Sequence, residues 1–346
     1  MILLRPIQEA DLPVLQQLGN IPGFINLSQD VDVLKEKIQA SIKSFKDENR
    51  SKSESKYWFV AEDIKTKKLM ALSMIAGQHG TQSSPHFFFQ IGTEEKHSKT
   101  INTGFLHGTV ELGYDTDGPS EIGGLVVDPE YRNTSQKIGK QISFVRFLFM
   151  AMYRQKFKSK IIAELLPPIN KKGLSPLWEA IGRRFTNMDY WEADELCQKN
   201  KEFILSLFPE GKIYTTFFSA EARNAIGKVS KDTEPVLHML TKIGFKYVNQ
   251  VDPFDGGPHL WANSDELLPI KNTRVLEWSD SNNHSSQLKE SGLIAVKNQT
   301  RDQFASMCVE IVIDNKKATL FDESQRAEVE KFLKIKKGDE IYFMPF

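Results

Sequence analysis

The sequence contains little cysteine and has no imbalance of charge. Among its 346 residues there are only 2 cysteines, Cys197 and Cys308, which are too far apart for a C-x-x-C metal or redox motif. Such cysteine usage is more typical of a reducing compartment than of a protein built on disulfides. Lysine plus arginine and aspartate plus glutamate each number 45, so no global charge favours nucleic acid or acidic lipid.

Long apolar segments are also missing. No run approaches the roughly 20 apolar residues that a membrane-spanning helix needs. The first residues reach a charge at Arg5, too early for a secretory signal peptide. We therefore expect a cytoplasmic protein that binds neither nucleic acid nor a membrane. A chain of this length has room for about two domains.

Histidine and charge clusters give no clear chemical signal. His79, His86, His97 and His107 fall in one stretch without the spacing of a metal-binding motif. We interpret them as surface histidines or as structural histidines with satisfied hydrogen bonds, and we expect no metal site. The segment 46–56 has mixed charge, which predicts a solvated loop.

Strand and helix patterns alternate over about the first 260 residues, which is typical of an α/β protein. Residues 2–5 predict a first strand, and 57–62 with 68–76 predict a hairpin. Residues 87–91 are compatible with a further strand. The fold class expected is α/β (α+β), with a mixed sheet flanked by helices.

The pattern changes at residue 272. Short strands follow one another to the end of the chain, with a single helix predicted at 323–335. We therefore predict a small C-terminal domain resembling a β-barrel or sandwich over 272–346. It would follow a larger domain over 1–271, with a helical insertion at about 186–230.

The most informative stretch is 121–150. Residues 122–127 predict a buried strand, which Asp128-Pro129 ends because proline cannot donate to a sheet. A polar loop follows, and then a helix whose apolar face is formed by Ile138, Ile142 and Val145. A helix N-terminus after such a loop presents free N–H groups and a positive dipole to a phosphate.

The loop in this stretch resembles a known motif. VDPEYR followed by Gln136-Lys137-Ile138-Gly139 is similar to the pyrophosphate loop of the acetyltransferase superfamily that uses acyl-coenzyme A (acyl-CoA), Q/R-x-x-G-x-G/A. In that pattern, Gly139 lets the backbone approach the pyrophosphate closely. Gln141 stands where the last glycine or alanine is expected. The resemblance implies acyl-CoA binding at Gln136, Lys137, Ile138, Gly139 and Lys140.

Longer phrases resemble one family, the arginine N-succinyltransferases. They are SPLWEAIGRRFTNMDYWEAD at 175–194, FPEGKIYTTFFSAEARNAIGKV at 208–229 and VDPFDGGPHL at 251–260. The resemblance covers essentially the whole chain. It implies transfer of a succinyl group from succinyl-CoA to the α-amine of arginine, in arginine catabolism. Succinyl-CoA, or another acyl-CoA, would be a co-substrate, and no permanently bound cofactor is expected.

The resemblance also implies how the thioester is held. Backbone N–H groups on the central strand would polarise its carbonyl, here at Leu125, Val126 and Val127. Leu125 falls at the family's acyl-CoA contact position. It is equally compatible with a core residue, and both can hold because the contact uses backbone.

One functional position departs from the family. Its proton donor is a histidine in the phrase G-Q-V-H-P-Q-T, whereas this chain has Ser230 there, in GKVSKDT. A serine hydroxyl donates hydrogen bonds but has no pKa near neutrality. Losing the histidine would slow the reaction by about 10²- to 10⁴-fold without abolishing it. His238, Lys231 and Asp232 are candidates for compensation.

Two carboxylates are further candidates. Glu164, which ends a predicted strand, either accepts a proton from the amine through water or is a paired structural carboxylate. Asp255 either belongs to a required tight turn or faces a cationic substrate. We predict Ser230, Glu164 and Asp255 as catalytic residues.

Three functional hypotheses remain open at this point. The first is an active enzyme resembling arginine N-succinyltransferase, and the second is a non-catalytic member that serves as a partner subunit or binds a ligand. The third is an acyltransferase with another amine acceptor, because the residues near Gln90 and Lys96 and Leu166-Pro167 differ from the family. The family's tendency to associate suggests a homodimer or a heteromer with a related subunit.

Overall fold

The computed structural model describes residues 1–19, 30–169, 174–280, 288–297 and 301–346. These residues form two compact units. Unit 1 contains Met1–Gly77, Ser120–Ser159 and Ser264–Phe346, and unit 2 contains Gln78–Pro119 and Lys160–Asn263. Across these ranges, no helix has both the length and the apolar character needed to cross a membrane.

Strands are found in both units. In chain order they are β1 (Ile2–Pro6), β2 (Lys56–Asp63), β3 (Leu69–Ala76), β4 (His86–Ser98), β5 (Thr103–Asp115), β6 (Ser120–Val127), β7 (Lys160–Glu164), β8 (Lys212–Tyr214), β9 (Lys246–Val251), β10 (Pro258–Asn263), β11 (Arg274–Trp278), β12 (Lys289–Val296), β13 (Ser306–Asp314), β14 (Lys317–Leu320) and β15 (Glu340–Pro345).

The helices are mostly short. In chain order they are α1 (Leu12–Gly19), α2 (Val31–Lys46), α3 (Ile138–Met152), α4 (Pro176–Ala180), α5 (Gly182–Thr186), α6 (Tyr190–Lys199), α7 (Glu202–Leu207), α8 (Ala220–Ala225), α9 (Glu234–Ile243), α10 (Leu268–Lys271) and α11 (Arg326–Leu333). With the strands, they confirm the mixed α/β class.

Unit 1 is built on one sheet with the strand order β12-β15-β11-β14-β13-β1-β2-β3-β6. Because β12 also pairs with β13, the five C-terminal strands form a closed ring. The ring is continuous with the rest of the sheet, since Leu3 of β1 pairs with Met307 of β13. The domain boundary expected at 271/272 therefore does not coincide with a boundary between the two compact units, and it stays a prediction.

Helices cover the sheet of unit 1. The Asp30 side chain caps α2 by accepting hydrogen bonds from the N–H groups of Asp32 and Val33. The buried face of α2, which includes Leu34 and Ile38, packs with residues of β2 and β3 in an apolar cluster. Helix α3 is buried over most of its length and packs on β2, β3 and β6. This packing fixes the N-terminus of α3 relative to β6.

Unit 2 contains an antiparallel sheet with the order β7-β10-β9-β4-β5-β8. Its β4–β5 hairpin is far longer than the strand expected at 87–91, because each strand continues through exposed polar residues. Short helices pack around Trp178, which stacks on Phe254 with ring centroids 4.7 Å apart. The insertion expected at about 186–230 contains α6, α7 and α8, together with β8.

Candidate functional site

A β-bulge interrupts the pairing of β6, the last strand in the unit 1 order, with β3. Leu72 of β3 pairs with Val126 of β6, and Met74 pairs with Gly123, so Gly124 and Leu125 both lie opposite a single residue. Gly124 has φ +57°, a conformation that glycine adopts without strain. A bulge takes backbone groups out of the ladder and redirects them. The bulge is therefore compatible with a backbone donor at Leu125, the position expected to contact the acyl group.

The three candidate residues of this strand differ in burial. Val126 is 3% exposed and belongs to an apolar cluster of unit 1, whereas Leu125 and Val127 are half-buried. The Val126 side chain can pack in the core while the backbone N–H groups of residues 125–127 contact the acyl group, because the side chain and the N–H of a residue make separate contacts.

The loop after β6 leads to an uncapped helix N-terminus. The Asp128 side chain accepts a hydrogen bond from the N–H of Glu130, and Arg132 Nε donates to the Val127 carbonyl at 3.0 Å. Lys137 precedes α3 in a left-handed conformation, with φ 51°, and its side chain makes no capping hydrogen bond. The first N–H groups of α3 thus have no side-chain cap, which suits a helix that receives an anion.

Gln141 does not project from this helix N-terminus. It is 5% exposed, and its Nε2 donates a hydrogen bond to the Gln136 carbonyl at 2.7 Å. Gln141, which departs from the loop pattern, therefore stabilises the loop by a hydrogen bond from the protein interior. Gln136 and Lys137 are exposed, and Ile138 is buried beneath them.

Gly139 is not required by the packing of the protein. A Cβ added there would meet only Val127 Cγ2, at 3.5 Å, which is an ordinary van der Waals contact. Its neighbour Lys140 lies over the ring of Phe346, with Nζ 4.5 Å from the centroid. The lack of a side chain at Gly139 thus leaves open space on the outer side of the helix N-terminus.

Arg146 links α3 to the bulged strand β6 by hydrogen bonds, a role that no local sequence pattern predicts. Its Nη1 donates to the Gly123 carbonyl at 3.2 Å, and its Nη2 donates to Ser143 Oγ at 2.7 Å. Burial lowers the pKa of Arg146 to about 9.

In unit 2, Glu164 ends β7 among three histidines. His259 of β10 pairs directly with Glu164 across the sheet. Glu164 Oε1 lies 3.7 Å from His79 Nε2, 3.4 Å from His86 Nδ1 and 3.7 Å from His259 Nε2. Sequence spacing missed this cluster, because its members come from different strands and loops.

The interpretation of His86 as a surface or satisfied histidine is wrong. Its side chain is 1% exposed, and its Nε2 has no hydrogen-bond partner within the described ranges. Burial lowers the pKa of His86 far below its ordinary value, and the positive charges of His79, His259 and Lys201 add to the shift. The ring is therefore neutral at physiological pH.

Two sets of side chains in this region have metal-ligand geometry. One is His79, His86 and Glu164, and the other is Glu164, Asp252 and His259. Within each set the ligand atoms lie within 4.8 Å of one another. Sequence reasoning expected no such set.

Ser230 closes the turn before α9. Its N–H donates to the Leu166 carbonyl at 2.9 Å, and its own carbonyl accepts from the N–H of Glu234 at 3.0 Å. Its Oγ lies 2.8 Å from Thr233 Oγ1, so the two hydroxyls share a hydrogen bond. Because Leu166 follows Glu164 closely, the end of β7 and the N-terminus of α9 meet at Ser230.

Asp255 belongs to a tight turn beside the same strand end. Its Oδ1 accepts a hydrogen bond from the N–H of Gly257 at 2.7 Å. A Cβ at Gly257 would lie 2.1 Å from the Leu165 carbonyl, and Gly256 has φ +83°. The turn therefore needs both glycines, and Asp255 has a structural role in it.

The Asp255 carboxyl is also electrostatically unusual. Burial raises its pKa well above the ordinary value, and the charges of Asp252 and Asp194 raise it further. Asp252 is itself held by hydrogen bonds from the N–H groups of Phe254 and Asp255. A cation placed near these carboxyls would offset the cost of ionising them.

Unit 1 thus contains the residues predicted to bind acyl-CoA, and unit 2 contains Glu164, Ser230 and Asp255. The bulged strand and the uncapped helix N-terminus are features of an acyltransferase. A family model described as "Arginine N-succinyltransferase beta subunit" matches residues 2–268.

Relatives agree with this match. The arginine N-succinyltransferases of Escherichia coli O17:K52:H18 and O127:H6 are each 37% identical to the chain over 280 residues, 80% of this chain and 80% of each relative. The structure of arginine/ornithine succinyltransferase subunit AI from Pseudomonas aeruginosa is similar with a TM-score of 0.82. It is 26% identical, covering 100% of this chain and 98% of that one. The chain belongs to the arginine N-succinyltransferase family.

The resemblance inferred from the sequence is thereby confirmed, and the chain is an acyltransferase of this family. The comparisons do not favour the non-catalytic alternative. The roles of individual residues stay predictions.

Proposed function

We propose that the protein transfers the succinyl group of succinyl-CoA to the α-amine of arginine. Membership of the arginine N-succinyltransferase family is the observation that carries this proposal. The geometry of each unit supports a separate part of the reaction, and acyl-CoA serves as a co-substrate rather than as a bound cofactor.

The backbone of unit 1 supports binding of the acyl donor. N–H groups at the bulge around Gly124 and Leu125 would polarise the thioester carbonyl, which gains negative charge as the amine attacks. The N-terminus of α3, with Gly139 open to solvent space, would receive the pyrophosphate of coenzyme A. Lys137 and Lys140 add positive charge beside it.

The side chains of unit 2 support the proton transfers. The amine nitrogen attacks the carbonyl carbon, the carbon–sulfur bond breaks, and the amine proton passes to Glu164, directly or through water. Ser230 would donate a hydrogen bond to the departing thiolate in place of the family's histidine. We expect turnover to be slower than with histidine at that position, by up to about 10²- to 10⁴-fold.

Arginine fits the acidic residues of unit 2. Asp252 and Asp255 are held together in one turn, and burial raises the pKa of each. A guanidinium would stabilise their ionised forms and would bind a carboxylate through two hydrogen bonds. In this proposal, binding of the arginine guanidinium by Asp252 and Asp255 determines the specificity for the amine substrate.

The test is a thiol-release assay on the full chain. Succinyl-CoA and acetyl-CoA would each be offered with arginine, ornithine and lysine. Release with succinyl-CoA and arginine supports the proposal, and release only with another pair would replace its substrates. The double variant Lys137→Glu/Lys140→Glu should bind coenzyme A weakly; equal binding would contradict the proposed pyrophosphate site.

We propose further that the protein self-associates or joins a related subunit. In unit 2, the tip of the β4–β5 hairpin exposes Ile101, Phe105 and Leu106, which are 69%, 60% and 70% accessible. Apolar side chains grouped on a protruding hairpin are typical of an interface. Light scattering of the protein and of Phe105→Ser/Leu106→Ser would test this, and an unchanged monomer in both would contradict it. A cytoplasmic location stays a prediction.

A further inference from the structure

Three histidines surround the Glu164 carboxylate, and the proposed acyl transfer assigns a role to none of them. The distances from Glu164 Oε1 are 3.7 Å to His79 Nε2, 3.4 Å to His86 Nδ1 and 3.7 Å to His259 Nε2. All four residues belong to unit 2. Imidazole nitrogens that converge on one carboxylate oxygen form a set of donors of the kind that binds metal ions.

These separations fit coordination to a shared ion better than direct hydrogen bonding. A hydrogen bond between nitrogen and oxygen spans about 2.7–3.2 Å, which is shorter than each of the three distances. Ligand atoms about 2.0–2.1 Å from a tetrahedral metal ion are separated from one another by about 3.3–3.4 Å. The contact between His86 and Glu164 has this length, and that between His79 and Glu164 is close to it.

The scaffold holds these side chains in place. His86 begins β4 and pairs with Asp115, and its ring is packed edge-on by the ring of His79, with centroids 4.6 Å apart. The N–H of His79 donates to the Pro119 carbonyl at 2.7 Å. Glu164 is fixed at the end of β7. Ligands on such elements need little rearrangement to bind.

His86 presents its Nδ1 to the Glu164 carboxylate, so Nδ1 is the nitrogen available to an ion shared with Glu164. Its ring is buried, and Nε2 lacks a hydrogen-bond partner among the described residues. When Nδ1 of a neutral imidazole binds a metal ion, Nε2 carries the ring proton, so the unpaired Nε2 is a separate feature of the ring and is not counted as a ligand atom.

A metal ion could reach the cluster from one side. The side chains of His79 and Glu164 are 21% and 28% exposed, whereas those of His86 and His259 are buried. The alternative set with Asp252 is less suited, because that carboxylate already accepts hydrogen bonds from two backbone N–H groups.

We propose that His79, His86 and Glu164 bind one divalent transition-metal ion of the Zn²⁺ class, with remaining coordination positions left to solvent. Two imidazoles and one carboxylate favour such ions over Mg²⁺ and Ca²⁺, which prefer oxygen ligands. This proposal concerns binding alone and does not depend on the acyl-transfer reaction.

The test is calorimetric titration of the chelator-treated full chain with ZnCl₂, repeated with CoCl₂ under a visible spectrum. We expect one equivalent bound, a Co²⁺ spectrum typical of low coordination number, and little response to MgCl₂. His79→Ala should weaken Zn²⁺ binding by at least about 100-fold, since loss of residues that merely orient metal ligands already costs 10- to 100-fold. Glu164→Gln should have a similar effect.

His97→Ala and His238→Ala are the matched controls, because both histidines are exposed and lie outside the cluster. They should bind Zn²⁺ like the original protein. Absence of stoichiometric binding would overturn the proposal, as would equal affinity in His79→Ala and the controls. Thermal unfolding without metal would confirm that His79→Ala, whose side chain is partly exposed, remains folded.

Discussion

Replacing Gly139 by alanine should stabilise the protein and yet impair its use of succinyl-CoA. The added Cβ would meet only Val127 Cγ2 at 3.5 Å, so the fold accommodates it. Alanine is favoured over glycine in a helix by up to about 1 kcal/mol, and the unfolded chain loses entropy as well. We therefore expect a gain of about 0.5–1 kcal/mol in the free energy of unfolding.

The effect on the acyl donor should have the opposite sign. If the pyrophosphate approaches the N–H groups at the start of α3, a methyl group at Gly139 occupies part of that space. Losing one hydrogen bond to a charged group costs about 1.5–3 kcal/mol, which corresponds to roughly a 10- to 150-fold rise in KM for succinyl-CoA. KM for arginine should change little.

Urea unfolding and steady-state kinetics on the same preparation test both effects. Gain of stability with an unchanged KM for succinyl-CoA would refute the assignment of this helix N-terminus to the pyrophosphate. Loss of stability would instead refute the packing argument. Glu36→Ala is a useful control, because its exposed side chain lies on α2, outside the loop predicted to bind acyl-CoA.

Three further changes probe other parts of the molecule. Ser230→His should raise kcat in the thiol-release assay by up to about 10²- to 10⁴-fold; no gain would mean that the acceptor site has been remodelled. Asp255→Asn should raise the urea midpoint at pH 7, because folding raises the pKa of this carboxyl and ionising it costs stability above pH 3.8. The advantage should shrink as the pH falls towards 3.8, and a variant less stable at pH 7 would contradict this. Arg5→Met should cost about 3–5 kcal/mol, since it removes the cation paired with the buried Asp11 carboxylate and one of the two cations paired with Glu62, whereas Lys35→Met breaks an exposed pair and should cost at most about 1 kcal/mol; similar costs in urea would refute the argument.

Local signals in the sequence were sufficient for much of the fold. The helix α9 begins near Pro235 and ends at Gly244, as its cap residues predict, and the strand before Asp128-Pro129 ends where proline requires. The C-terminal strands were predicted by short apolar runs. These features depend on residues adjacent in the chain.

The β4–β5 hairpin shows where such signals fail. Its outer half continues through Glu94 to Ser98, where polar residues on both faces give no alternation. Strand formation there depends on pairing with β5 and not on burial. The same limit applies to Arg146, whose partners Ser143 and Gly123 become neighbours only when α3 packs on β6.

The histidine cluster could not be predicted from the sequence for a related reason. His86, Glu164 and His259 meet because β4, β7 and β10 belong to one sheet whose strand order differs from the chain order, and His79 joins them from the segment before β4. A search for metal-binding motifs by residue spacing finds only ligands that are close together in the sequence, on one turn or one helix. Polar sites assembled by strand order need the topology before they can be recognised.

The two proposed roles of Glu164 lead to a final prediction. A carboxylate oxygen bound to Zn²⁺ cannot at the same time accept a proton from the amine, so metal occupancy should inhibit acyl transfer. His79→Ala should resist this inhibition by about the factor by which it loses Zn²⁺ affinity, since its Glu164 remains available. Succinylated product should be followed by chromatography, because Zn²⁺ binds the free thiol of coenzyme A and distorts thiol assays. Equal inhibition of His79→Ala and the His97→Ala control would show that Zn²⁺ acts elsewhere, and faster turnover with Zn²⁺ would show that the metal assists the reaction and that Glu164 is not its base.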